Sequence, residues 1–110
     1  MRINPDQVVL DYDGKPIEVP ALGANGVEGL TLRRIITQAL NSVSPGDKPL
    51  NAEQKLRAFQ ISVRASNPGK PLDLKVEDMA FIKERVSAAY TSPLIYGRVC
   101  EVFDGPETEE

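Results

Sequence analysis

The residues of this chain that could do chemistry are few and badly spaced for it. There is no histidine, which removes the commonest general base and the commonest metal ligand together. Cys100 is the single cysteine, so neither an intramolecular disulfide nor a cysteine cluster for zinc can form. Without a histidine to activate it, its thiol reads as a small buried hydrophobe in a helix rather than a nucleophile. Ser42, Ser44, Ser62, Ser66, Ser87 and Ser92 lack the same base. Asp11 and Asp13 stand two apart, so on a strand both carboxylates share a face and could hold a metal or move protons. They flank Gly14, though, and aspartate has a sufficient local reason at such a turn. The stretch Asp11-Tyr12-Asp13-Gly14 also lacks the later acidic positions of a calcium loop. Neither a phosphate loop nor a dinucleotide fingerprint occurs. These absences lead us to expect no enzyme activity, no cofactor, no metal and no small-molecule substrate.

The arginines are the other candidates. Arg33 and Arg34 fall in the first turn of a predicted helix, where cations oppose the helix dipole at about 0.3–1 kcal/mol. That placement suits contact with an anion or partner, or a salt bridge to Asp11 and Asp13. Arg57 and Arg64 lie seven apart on a second predicted helix and share a face. Together the four could form one basic patch. The charge balance argues against nucleic acid, however. The chain carries a net −3, which Glu107, Glu109 and Glu110 account for, so residues 1–106 are neutral. Electrostatic capture of phosphates needs uncompensated cations, and single-strand binding needs interleaved aromatics. Of the aromatics, Tyr90, Tyr96 and Phe103 cluster near the C-terminus. Met79 and Phe81 point to different sides of a helix. With Met79 in the core, Phe81 faces outward beside Arg85 and Tyr90. The candidate interaction surface is therefore Arg33, Arg34, Arg57, Arg64, Phe81, Arg85, Tyr90 and Tyr96. Exposure of Phe81 and Tyr96 would make a homodimer.

These residues must be positioned by a single domain, since the chain has 110 residues, 41% apolar and 26% charged. Asp13-Gly14 predicts a two-residue hairpin turn within residues 8–19. Leu10 and Tyr12 alternate before it, and Ile17 and Val19 after it. Pro16 cannot donate to a ladder, so its strand is an edge or begins irregularly. Residues 20–29 carry three glycines and a proline and predict a mobile loop.

Four helices follow. Thr31 caps the first, with Leu32, Ile35, Ile36, Ala39, Leu40 and Val43 as its stripe, and Ser44-Pro45-Gly46-Asp47 stops it. Asn51 and Gln54 open the second as a capping box, with Ala52, Leu56, Phe59 and Val63 as the expected buried stripe, flanked by Ile61. Asn67-Pro68-Gly69 ends it. The third begins near Val76 and buries Met79, Ile82, Val86 and Ala89. Ser92-Pro93 opens the fourth, lined by Ile95, Val99, Val102 and Phe103 and closed by Gly105-Pro106. Residues 107–110 read as a disordered acidic tail. The start, Met1-Arg2-Ile3-Asn4-Pro5, has no apolar run, so no signal peptide is expected. No apolar stretch is long enough to span a membrane, and a lone thiol suits a reducing cytoplasm.

The order of these pieces resembles a group of small uncharacterised proteins encoded in tailed bacteriophages and prophages. The resemblance rests on Leu10-Asp11-Tyr12-Asp13-Gly14-Lys15-Pro16-Ile17, on Leu30-Thr31-Leu32 with Ala39-Leu40, and on Glu53-Gln54-Lys55-Leu56. Further along it rests on Glu77-Asp78-Met79-Ala80-Phe81-Ile82-Lys83, on Tyr90-Thr91-Ser92-Pro93-Leu94, and on Gly97. Two features depart from the pattern: the 20–29 loop is longer, and Lys75 stands where a threonine cap is usual. The resemblance implies a phage or prophage origin and a place in the bacterial host cytoplasm. The fold expected is α+β and mostly α, an N-terminal β-hairpin packed on a compact bundle of four short helices. The expected function is a non-enzymatic accessory protein binding a host or phage protein. The alternatives are a tail or head assembly chaperone and a nucleic-acid-binding regulator.

Overall fold

A helix with one wholly apolar side anchors the computed structural model, which describes residues 1–20, 26–42, 50–67, 69–90 and 92–105. Thr31 starts this helix: its hydroxyl oxygen accepts from the Arg34 N–H at 3.3 Å, satisfying one of the donors that a helix start leaves over. Helix α1 (Leu32–Asn41) then buries Leu32, Ile35, Ile36, Ala39 and Leu40. Their spacing returns to one face every turn. The stripe residue Val43 and the stop at Ser44–Asp47 lie outside the described residues, as do Pro68, Pro106 and the acidic tail.

The second helix, α2 (Ala52–Ala65), opens on the expected capping box. The Asn51 carboxamide accepts from the Gln54 N–H at 2.8 Å, and the Gln54 side chain accepts from the Asn51 N–H at 3.0 Å. Helix α3 (Val76–Ala89) carries half of that arrangement: Asp78 accepts from the Lys75 N–H at 3.2 Å, and a lysine has no acceptor to complete it. Helix α4 (Pro93–Asp104) starts with proline at its first position, although Ser92 makes no side-chain capping bond. Both α2 and α3 pack on α1, and α4 packs on α3. Ile35, Ile36, Ile61, Ile82, Val86 and Val99 meet in the core with no exposed surface.

The described strands are short, and the fold is α+β, mostly α. Strands β1 (Arg2–Ile3) and β2 (Glu18–Pro20) come before α1, as does β3 (Val27–Gly29), while β4 (Leu72–Asp73) precedes α3. β1 pairs antiparallel with β4, Arg2 opposite Asp73 and Ile3 opposite Leu72. β2 pairs antiparallel with β3, Val19 opposite Glu28.

The expected turn is present, but its flanks are corrected. Gly14 has φ +79°, which glycine adopts without steric cost. Asp11 widens the turn, because one of its carboxylate oxygens accepts from the N–H groups of both Asp13 (2.8 Å) and Lys15 (3.0 Å). The arms meet only at a single Leu10–Pro16 bridge. Leu10 and Tyr12 face solvent, and Val9 is buried in their place. The ladder forms later, between β2 and β3, so Val27–Gly29 is a strand rather than part of a loop; residues 21–25 are outside the described set. Gly29 is closely approached: a Cβ there would lie 3.1 Å from a Val8 methyl, so Val8 would have to shift by a few tenths of an ångström.

Two helix faces also differ from expectation. In α2 the buried residues are Ala58, Ile61 and Ala65, while Leu56, Phe59 and Val63 are 56%, 63% and 54% exposed. At 3.6 residues per turn the two rows lie on opposite sides of the helix. The small pair Ala58 and Ala65 lets α2 sit close on α1, with Ile61 between them. In α3, Phe81 is buried (9% exposed) and Met79 only partly so. The reason is that α3 packs on both α1 and α4, so more than one of its sides is covered.

The α2 assignment has a direct test. Ile61→Ala should cost about 2–5 kcal/mol in chemical denaturation, whereas Phe59→Ala should stay within ~0.5 kcal/mol of the parent. Equal losses would contradict it.

Candidate functional site

Each of the four arginines expected to form a basic patch is paired with a carboxylate. The Arg33 guanidinium meets Asp6 at 2.8 Å and also donates to the Ala65 carbonyl, tying α1 to the end of α2. Arg34 meets Glu28 at 3.2 Å and donates to the Pro20 carbonyl at 2.8 Å. The partners are therefore Asp6 and Glu28, not Asp11 and Asp13. Instead, Asp11 is held from behind by α4: Arg98 donates to the Leu10 carbonyl at 2.9 Å and to the Asp11 carbonyl at 2.7 Å.

Arg57 and Arg64 do share a face of α2, and what they share is Asp78. One carboxylate oxygen of Asp78 lies 3.4 Å from Arg57 and the other 3.5 Å from Arg64. Asp78 is buried and also caps α3 through the Lys75 N–H. Arg64 adds a bond to the Asp73 carbonyl at 2.9 Å. The Asp78 carboxylate thus links α2 to α3, and Arg64 extends the link to the strand before α3.

The other named candidates divide. Arg85 is 5% exposed and donates to the Ser42 carbonyl at 3.2 Å. With Phe81 also buried, the expected outward surface of Phe81, Arg85 and Tyr90 does not form. Tyr90 is half-buried, and its hydroxyl donates to the Gln38 side chain at 2.8 Å. Burial raises its pKa above the usual 10.0, with nearby Arg34 pulling the other way. Tyr96 remains partly exposed on α4. A side-chain hydrogen bond with half-buried Cys100 raises its pKa.

The surface that stands out is the outer side of α2. An open groove of ≈ 620 Å³ runs between this helix and the start of α3. Leu56, Phe59 and Val63 form its apolar wall, and Arg57, Arg64 and Asp78 form its polar one. Val76, 73% exposed, sits between the lining residues Lys75 and Glu77. The sequence carries a signal for this face. α2 carries two apolar rows, Leu56/Phe59/Val63 and Ala58/Ile61/Ala65, where burying one side of a surface helix needs only one.

Among the described residues no helix is long and apolar enough to cross a membrane, and no cluster of three or more potential ligands could hold a metal ion. Comparison with protein-family models, with curated proteins and with solved structures finds no match to this chain.

Two outcomes follow from this geometry. Asp78→Ala should destabilise the fold by about 1–3 kcal/mol, since it removes charge-assisted bonds and a helix cap. Added salt should shrink the difference. An unchanged denaturation midpoint would refute the linking role. The second concerns alkaline pH. Because the folded state holds the Tyr90 proton more tightly than the unfolded chain, stability should be fully present below pH 10.0 and fall as pH rises through the folded value. Tyr90→Phe should flatten that part of the stability–pH curve.

Proposed function

We propose that this chain is a non-enzymatic accessory protein that acts by binding another protein, and that the outer face of α2 is where it binds. The observation that carries this reading is the solvent-facing row Leu56, Phe59 and Val63. Three large apolar side chains on consecutive turns make a contiguous patch, and an amphipathic partner segment is what such a patch accepts. The pairing of Arg33, Arg34, Arg57 and Arg64 with carboxylates favours a protein partner over nucleic acid, because phosphate capture draws on unpaired cations. The motif resemblance supplies the setting: a phage or prophage product in the bacterial cytoplasm, with a host or phage protein as partner.

The test is affinity capture on the immobilised full chain from infected or induced cells. A specific protein should be retained, and Phe59→Glu should lower its retention by at least about tenfold with an unchanged circular dichroism spectrum. A retained tail or head protein would make the role one in assembly. Capture of nothing, or capture indifferent to Phe59→Glu, would overturn the proposal.

A further inference from the structure

The pattern of residues across the α2 face points to a particular occupant. We infer that a second copy of this chain covers it until another partner displaces it, with the two α2 helices packed antiparallel about a two-fold axis; the inference rests on reading that face as the binding surface. Ala52, Leu56, Phe59 and Val63 are spaced four, three and four apart, and all four are exposed. That alternation is the seam of a two-stranded helix pair, in which each side chain enters a gap on the facing helix.

An antiparallel arrangement about a two-fold axis sets Leu56 opposite the partner's Phe59 and Ala52 opposite the partner's Val63. Each layer then pairs a larger side chain with a smaller one. The flanks are compatible with the same axis. On one side Glu53 falls opposite the partner's Gln60 and within reach of the partner's Arg64, which keeps its Asp78 contact while its side chain stays 46% exposed, and on the other Lys55 falls opposite the partner's Ser62. Opposite charges approach twice, once in each symmetry-related half, and no like charges face each other across the seam. A parallel pairing keeps the seam but stacks Phe59 on the partner's Phe59 and Leu56 on the partner's Leu56, and it sets Glu53 at the far end of the helix from the partner's Arg64. Glu53 and Arg64 lie near opposite ends of one flank of the same helix, which is the charge order an antiparallel self-pairing uses.

The seam spans about three turns, so the contact lies at the small end of specific interfaces and should be reversible. Sedimentation of the full chain from low micromolar to millimolar concentration should show monomer passing to dimer. Phe59→Glu and Leu56→Glu should remain monomeric with unchanged melting, because both side chains are already exposed in the single chain. Direction is read by disulfide trapping in a Cys100→Ser background. A mixture of Ala52→Cys and Val63→Cys proteins should form mixed dimers in preference to like pairs.

A chain that stays monomeric throughout, a dimer insensitive to Phe59→Glu, or a preference for like pairs would each overturn the antiparallel dimer. A monomeric chain whose Phe59→Glu variant still loses the captured protein would overturn self-pairing alone. A chain in which Phe59→Glu alters neither association nor capture would overturn the binding face as well.

Discussion

The burial of α1 is the constraint on which the other elements depend. Half of its residues are sealed from solvent, although a helix of ten residues is too short to persist in water by propensity alone. It exists because α2 and α3 pack on it, and they in turn have no common surface comparable to the one α1 gives them. The polar contacts reinforce this arrangement from the edges. Arg33 reaches the last carbonyl of α2, Asn41 bonds Ser62 at 3.1 Å, and Tyr90 bonds Gln38 on α1. Loss of packing at Ile35 or Ile36 would therefore release two helices, not one.

The features written locally were legible in the sequence. Thr31, the Asn51–Gln54 box, Val76 and Pro93 mark their helix starts because a cap or an N1 proline is decided within four residues. The stripe of α1 was readable because no second apolar row competes with it. In α2 two rows do compete, and residue size misleads: Leu56, Phe59 and Val63 outweigh Ala58, Ile61 and Ala65, yet close contact between helices selects the smaller set. β1 and β4 were invisible for another reason. Two residues have no periodicity, and their partners are seventy positions away. Arg85 misleads because its type signals surface, while its position on a helix covered by two neighbours places it inside.

The candidate site shows the same division. The sequence shows the arginines as residues but not as ion pairs, because charge type is visible in sequence and charge pairing is not. Arg57 and Arg64 form an ion cluster with Asp78 that joins α2 to α3. The groove beside this cluster takes its apolar wall from the row that reads as core. Polar and apolar parts then have separate tasks. The ion cluster ties α2 to the start of α3, and the row of Leu56, Phe59 and Val63 stands on the helix so held. A binding surface on a capped helix costs less to order than one on a loop.

The pairing of β1 with β4 has a consequence for how the molecule is made. Ile3 is buried against Leu72, and the Met1 and Leu74 backbones exchange hydrogen bonds. On a ribosome β1 emerges long before β4, which will cover it. The α1–α2 pair can begin to associate during that interval, since its contacts span a short loop, while closing the β1–β4 loop carries the larger entropic penalty. The β1–β4 ladder thus waits for residues 72–74 and follows the α1–α2 contact, and α4, whose Arg98 holds the Leu10 and Asp11 carbonyls, is added later still.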